Sequence, residues 1–368
     1  MVDETAKPSD LSSSETEEQA EVALGNSLYK GETQHNKVTS ADVALKAGVS
    51  RSAVSRVFTP GASASAKTVE KVKKAAQELG YRPNVLARAM VSGKSRIIGL
   101  VVAYLNNQFY PTILEKLSKA LRERGYHVLV FLSSNTEGDI AEVLDEILDY
   151  QVDGIVAASV ALSSDLSKRC VDAGVPVVLF NRSQDDQEHF AVTSDNVQGG
   201  YDVAKLLVET GHKKIAYIAG WEGASTQRDR EQGFLEGLAA HSQSLFKREV
   251  GNFISEDARE ATLRLFERAP PDAIFVANDH MALSVMDTIR HELGLTIPQD
   301  VSIVGYDDVD AAAWPSYNLT TVRQPANRMV AATVDLLLEK IEQVDTQPRR
   351  IKIEGPLILR GTVKSNCD

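Results

Sequence analysis

Residues 37–96 carry twelve Lys or Arg against three Asp or Glu. On either side the balance reverses, to two against eight over residues 1–36 and 26 against 40 over residues 97–368. Cations gathered on one segment can displace counterions from a polyanion. The acidic remainder, which brings the net charge to −11, resists indiscriminate sticking to nucleic acid. A solvated charged face is the bland alternative, although such faces usually mix both signs.

Other chemistries find no residues to carry them. No GxGxxG follows an apolar strand and no GxxxxGK[ST] occurs, so dinucleotide and P-loop enzymes lack support. The seven histidines are scattered, without a Ser-His-Asp set or a metal cluster. Cys170 and Cys367 lie far apart with no CxxC spacing, which argues against zinc. The expectation is a protein that is not an enzyme, with no cofactor and no metal. No run of eighteen apolar residues offers a membrane span. The acidic opening Met1-Val2-Asp3-Glu4 is unlike a secretory signal, so a reducing bacterial cytoplasm, with association to the nucleoid, is expected.

The elements that must position the basic segment follow from local patterns. Residues 1–36 are rich in Ser, Thr and Glu and poor in large apolar residues, which reads as a disordered acidic tail. Thr39-Ser40-Ala41-Asp42 spells a capping box ahead of a short helix with Val43, Ala44 and Ala47 on one face. Gly48 ends that helix, and Ser50 caps a second from Arg51 to Phe58 with Val54 and Val57 inward. After the Pro60-Gly61 turn, Ser65 opens a longer helix with Val69, Val72, Ala76 and Leu79 inward, closed by Gly80 and Arg82-Pro83. Helix, glycine turn, helix and supporting helix make a helix-turn-helix unit over residues 37–83. Asn84 caps one more helix to about Val91, too short to be stable alone in water, within a linker spanning residues 84–96.

From Ile97 onward, apolar strands alternate with helical stretches. The strand runs lie at residues 97–102, 128–131, 154–157, 175–180, 214–219, 273–276 and 301–306. Continuous apolar strands joined by helices imply parallel sheets covered on both faces. Two successive Rossmann-like subdomains with a cleft between them fit the length. The fold class is therefore α plus α/β.

Residues 38–361 resemble the lactose-repressor (LacI/GalR) family. The carrying motifs are Val38-Thr39-Ser40-Ala41-Asp42-Val43-Ala44, Ala47-Gly48-Val49-Ser50-Arg51-Ser52-Ala53-Val54-Ser55-Arg56-Val57 and Leu79-Gly80-Tyr81-Arg82-Pro83-Asn84. Independent support comes from Val152-Asp153-Gly154-Ile155, Asn278-Asp279-His280-Met281-Ala282, Gly305-Tyr306-Asp307-Asp308 and Leu319-Thr320-Thr321-Val322-Arg323-Gln324-Pro325. The resemblance implies a DNA-binding headpiece, a hinge helix and a core of periplasmic-binding-protein type. That core would have an N-subdomain at about 97–193 plus 326–345, a C-subdomain at about 194–325 plus 346–361, and a tail at 362–368.

By resemblance, the helix opening at Ser50 reads double-stranded operator DNA in the major groove. Arg51, Ser52 and Arg56 would face the bases, where Arg can bond guanine bidentately. Thr39, Ser40, Ser50, Ser55, Thr59, Ser65, Lys67, Thr68 and Asn84 would hold phosphates, and Tyr81 would either join them or pack in the core. The hinge helix, with Ala87 and Met90, would enter the minor groove, where relatives usually carry Leu at the wedge position. Packing of Met90 on the core is the alternative.

The cleft would take a small polar effector, sugar-like in chemistry. The resemblance places Arg230, Asn278 and Asp307 on it, with Asn106, Phe109, Asn181 and Arg182 completing the wall. Trp221 stands where relatives commonly carry Pro, and it either stacks on a sugar face or packs in the core. Hinge helices meeting at an operator centre imply a homodimer. The stretch from Gly361 to Asp368 lacks the leucine heptads that some relatives use to tetramerise. A periplasmic sugar-binding protein and a sugar-metabolising enzyme are the rivals; the first lacks such a headpiece and the second needs a catalytic set.

Overall fold

The computed structural model describes residues 38–59, 62–82, 94–103, 105–133, 137–160, 163–184, 189–343 and 347–364. The chain divides into two compact units, Met1–Arg88 and Ala89–Asp368.

In the first unit, α1 (Ser40–Ala47), α2 (Arg51–Phe58) and α3 (Ala66–Leu79) enclose Val43, Ala44, Ala47, Val54, Val72, Ala75 and Ala76. The helix ends lie where the capping residues put them. Thr39 and Asp42 form a reciprocal capping box, and the Ser50 and Ser65 hydroxyls accept from the Ala53 and Thr68 amides. Gly48 and Gly80 close α1 and α3 with φ of 64° and 66°, a left-handed turn that costs glycine nothing. Tyr81 is half-buried, with its ring 5.9 Å from that of Phe58, so it packs on this small core.

The second unit holds two six-stranded sheets. The first is built from β1 (Ile97–Val102), β2 (His127–Leu132), β3 (Gly154–Ala158), β4 (Val177–Phe180), β5 (Phe190–Ser194) and β11 (Arg350–Ile353), in the order β11-β5-β4-β3-β1-β2. Every pairing in it is parallel. The second is built from β6 (Ile215–Ala219), β7 (Lys247–Val250), β8 (Ala273–Val276), β9 (Ser302–Asp307), β10 (Thr320–Arg323) and β12 (Leu357–Ile358), in the order β12-β10-β9-β8-β6-β7. Only its edge strand β12 runs antiparallel. Around the first sheet lie α4 (Phe109–Glu123), α5 (Glu137–Asp149), α6 (Ser164–Asp172) and α11 (Ala326–Glu342). The second carries α7 (Asn196–Glu209), α8 (Ser225–Ala240), α9 (Ser255–Phe266) and α10 (Asp279–Asp287).

All seven apolar runs form strands, although the fourth begins at Val177 rather than at Val175-Pro176. The strands that apolar runs do not announce are β5, β7, β10, β11 and β12. The boundary expected near residue 346 also moves. β11 pairs with β5 and so belongs to the first sheet, and only β12 rejoins the second. Its sequence Arg-Ile-Lys-Ile alternates, as suits a half-exposed edge, and gives no hint of which sheet it completes. The chain thus passes between the sheets after Ser194, after Arg323 and after Ile353.

Helices α7 and α8 approach at backbone distance. A Cβ on Gly233 would fall 1.8 Å from the Val197 carbonyl oxygen, and one on Gly200 would fall 2.1 Å from that of Arg230. No side chain can rotate to relieve a clash with backbone. Gly233→Ala is therefore expected to push the helices apart and destabilise the core by on the order of 3 kcal/mol, read as a lower urea midpoint.

Candidate functional site

Two places gather the residues that the sequence marks. On the headpiece, Arg51, Ser52, Ser55 and Arg56 are all exposed on α2, as is Lys67 on the first turn of α3. Arg51 and Arg56 form no ion pair among the described residues, whereas Lys46 bridges α1 to Glu78 of α3 at 2.9 Å. The hydroxyls are more constrained than a list of phosphate clamps implies. Thr39 donates to the Asp42 carboxylate at 2.7 Å while its amide donates to the same oxygen at 2.8 Å, and these bonds hold the Asp42 pKa below its ordinary value. Thr59 donates to the Ser55 carbonyl at 2.8 Å. The hydroxyls of Ser50 and Ser52 lie 2.9 Å apart, and those of Ser65 and Thr68 lie 2.8 Å apart. Ser40 is half-buried in the first turn of α1. Thr39, Ser50 and Ser65 thus serve first as helix caps. Asn84, Ala87 and Met90 lie outside the described residues.

In the core, a cavity opens where the carboxyl ends of both sets of strands face each other. Such ends are where α/β sheets bind ligands. The first sheet supplies Asn107, Tyr110, Ser159, Asn181 and Arg182, and the second supplies Thr226, Arg230, Phe253, Asn278 and Asp307. Four of these hold left-handed backbone: Ser159 at φ 63°, Asn181 at 68°, Phe253 at 61° and Asp307 at 124°. For residues with a Cβ each such conformation costs roughly 1–3 kcal/mol, and such strain clusters where a site needs a particular side-chain aim.

Three buried charges line the cavity, Arg182, Arg230 and Asp307, and the last two, almost wholly inaccessible, are paired. Arg230 donates through Nη2 to Asp307 at 3.3 Å, through Nε to Asn196 at 2.9 Å and through Nη1 to the Ala277 carbonyl at 2.5 Å. Its guanidinium centre sits 3.7 Å from the centroid of the Tyr306 ring. Gln324 donates to Asp307 at 2.7 Å from the segment that crosses between the sheets. Asn107 lines the cavity opposite Asp307, on the first sheet's side, and accepts from the Phe109 amide at 3.0 Å. Burial raises the Asp307 pKa above the ordinary carboxylate value, opposed by Arg230, Gln324 and Asn107.

Behind Asp307 lies Asp279, which accepts from the Val309 amide at 3.0 Å and the Thr321 hydroxyl at 2.6 Å. Burial, with the nearby Asp307 charge, pushes its pKa up to about 7. It anchors the turn that follows β9 to β10. A Cβ on Gly305 would lie 2.2 Å from the Asp279 Oδ1, so glycine there makes room for the carboxylate.

The structure moves several expected wall residues by one position. Asn106 is exposed and outside the cavity lining, and its neighbour Asn107 takes the place. Phe109 is buried beneath the wall, 5.4 Å from the Tyr110 ring and 6.4 Å from that of Phe180, and Tyr110 faces the cavity instead. Both shifts occur at the entry to α4, where one residue rotates a side chain by about 100°. Trp221 does not line the cavity; its indole lies against Arg182, with the guanidinium centre 5.3 Å from the ring centroid. Asn181, Arg182, Arg230, Asn278 and Asp307 come together as expected. Asn278 also caps α10, accepting from the Met281 amide at 3.0 Å, so it is a cap and a wall residue at once. Asn181 donates to the Tyr110 hydroxyl at 3.0 Å, while its buried Oδ1 has no hydrogen-bond partner among the described residues. Ser159, Thr226 and Phe253 went unmarked in the sequence, where nothing but their place after a strand or at a helix start signals them.

This constellation offers amides, hydroxyls, guanidiniums and one carboxylate around aromatic faces. It suits a polar ligand held by directional hydrogen bonds. Among the described residues no group of His, Cys, Asp and Glu is arranged to hold a metal ion, and no helix is long and apolar enough to cross a membrane.

Comparison with known proteins finds a match in each unit of the chain. Residues 39–84 match the family described as bacterial regulatory proteins, lacI family, and residues 204–363 match a periplasmic binding protein-like domain. The HTH-type transcriptional regulator CelR of Thermobifida fusca is 35% identical over 329 residues, covering 86% of this chain and 96% of that protein. The HTH-type transcriptional repressor PurR of Vibrio vulnificus (strain CMCP6) is 30% identical, covering 89% of this chain and 98% of that protein. Among solved structures, a CelR–cellobiose complex superimposes with a TM-score of 0.67 at 32% identity, covering 88% of this chain and 99% of that one. The lac repressor dimer bound to operator and the anti-inducer ONPF gives a TM-score of 0.81 at 27% identity, covering 89% and 99%. With a headpiece, a two-sheet core and relatives of this identity over nearly their full length, the chain belongs to the lacI family of DNA-binding transcription regulators.

Proposed function

We propose that this regulator is a repressor whose operator affinity is set by a small neutral sugar or related polyol held between the two sheets of the core. The observation that carries this is the buried Arg230–Asp307 pair at the cavity floor. Its carboxylate accepts from Gln324 on the crossover segment, and Asn107 of the opposite subdomain lines the same cavity. A ligand hydroxyl that reaches Asp307 on one side and Asn107 on the other engages both halves at once. The unpartnered Asn181 Oδ1 adds an acceptor that wants a ligand donor, which favours hydroxyls over phosphates. The CelR complex contains cellobiose, and a sugar in this cleft is the corresponding reading. The site binds and does not catalyse, and the protein works in the cytoplasm on nucleoid DNA.

We also infer a two-fold dimer reading a near-palindromic operator. In support, β2 is an edge strand whose Val130 and Leu132 are 48% and 60% exposed beside the exposed Tyr150, an apolar edge of the kind proteins normally cover. Sedimentation at micromolar concentration is expected to give a dimer, and a tight tetramer or a monomer would overturn that reading.

Gel shifts on operator and random DNA, with and without a panel of sugars headed by cellobiose, test the main proposal. Asp307→Asn keeps the side chain's shape and is expected to leave operator binding intact while abolishing the response to sugar. A variant that still responded normally would remove the case for the cleft. On the headpiece, Arg51→Ala should cost about 1–3 kcal/mol on the operator and relax preference at one base pair. Lys67→Ala should instead weaken all sequences alike and lower the salt dependence by roughly one counterion. Equal losses on operator and random DNA for both variants would mean that α2 is not the reading face.

A further inference from the structure

The cavity is joined across its rim at two points that involve no cavity-floor residue. Arg182 follows β4 of the first sheet and lines the cavity, and its guanidinium lies 5.3 Å from the indole centroid of Trp221, which follows β6 of the second sheet. One residue further along, the Ser183 amide donates to the Ser225 hydroxyl at 2.9 Å. Ser225 opens α8, the helix that carries Arg230. Both contacts therefore link the same two short segments from opposite subdomains.

The Trp221 side is rigidly built. A Cβ on Gly223 would fall 2.4 Å from the indole, so the ring folds back against its own turn, a position that only glycine allows. The Ala224 amide returns to the Trp221 carbonyl at 3.0 Å. Glu222 is held by Arg248 of β7 at 2.9 Å, and Arg248 is held in turn by Glu231 of α8. The indole is thus presented with its orientation set by its own subdomain, before anything from the other half arrives. Arg182 reaches it only when the halves are close.

We propose that Trp221 is a positioning residue that acts through Arg182: with the Ser183–Ser225 bond it forms a clasp that holds the cleft closed and aims the Arg182 guanidinium into the cavity. This rests on the cleft being the effector site and adds how closure is secured. The clasp must open for any ligand to enter or leave, so weakening it speeds both steps, and release reads it directly. A cation over an indole face is worth roughly a three- to thirtyfold factor in such an equilibrium, and an aliphatic side chain of similar bulk does not replace it.

The test begins without ligand or DNA, by hydrogen exchange of the peptide containing Ser183 in the full-length protein. Trp221→Leu is expected to speed exchange at Ser183 by roughly three- to thirtyfold, although the substitution removes no atom of that hydrogen bond. Trp221→Phe, which keeps an aromatic face, is expected to restore most of the protection, and Ser225→Ala to abolish it. Exchange in the β8 and β9 peptides serves as the control for general loosening and should stay unchanged. Unaltered Ser183 exchange in Trp221→Leu, or equal loss in the Leu and Phe variants, would overturn the clasp. A second arm follows cellobiose release by stopped flow, where Trp221→Leu should accelerate dissociation. Equal dissociation in wild type and Trp221→Leu also overturns the proposal. If wild type binds no sugar of the panel, the effector reading fails while the exchange result still decides the clasp.

Discussion

The core depends on a guanidinium that has been taken out of water. Arg230 is almost fully buried, and burying a charge of that size costs several kcal/mol unless every donor and the charge itself are answered. Here the answers come from separate elements: Asn196 at the start of α7, the carbonyl after β8, the carboxylate at the end of β9 and the face of Tyr306. Each of these must be within a few tenths of an ångström of its place for the desolvation to be offset. The bare backbone contact of α7 with α8 is part of the same requirement, since Gly200 lies against the Arg230 carbonyl and Gly199 against the Tyr306 hydroxyl. A pair this costly is weak evidence for stability alone. Its value is that it fixes one arrangement of the second subdomain while leaving a carboxylate oriented toward the first.

Legibility in the sequence follows from how each element is stabilised. The headpiece helices are bounded by side chains that cap them and by glycines that end them, so their limits are written in Thr39, Gly48, Ser50, Ser65 and Gly80. Most central strands are equally plain, because a strand covered on both faces is a continuous apolar run, although β5 and β10, which carry Thr and Ser, lack such a run. Of the edge strands only β2 contains one. Lys247-Arg248-Glu249-Val250 reads as a charged loop, and its strand character comes from pairing with β6. At the cleft, the motifs point to Arg230, Asn278 and Asp307, which line one cavity. The wall at Asn106 and Phe109 is displaced by one residue because a sequence names a loop but not the phase of the helix that follows it.

Charge is divided along the chain in a way that serves two binding events with opposite needs. DNA affinity is largely electrostatic and nonspecific in origin, so an acidic body confines attraction to the headpiece. The cavity of the core offers instead directional hydrogen-bonding groups that are buried. Because the two sites use different forces, their affinities respond to different variables, with salt governing the first and hydrogen-bond geometry the second. Linkage between them then requires only that the ligand prefer one arrangement of the subdomains over another.

The backbone supports that last condition. Ser159, Asn181 and Asp307 hold left-handed conformations at the ends of strands from both sheets, and Phe253 does so in the loop after β7. Each is a small strain that surrounding contacts must over-determine, and those contacts include bonds between the halves such as the Ser183 amide to the Ser225 hydroxyl. When the halves separate, bonds of that kind are lost and the strained residues keep only the restraint of their own subdomain. Strain at the cleft therefore lowers the cost of departing from the closed arrangement, and a ligand that restores those bonds is selected by geometry as much as by affinity. A cavity built from unstrained turns would bind a polar ligand as well, but it would couple that binding less to the angle between its walls.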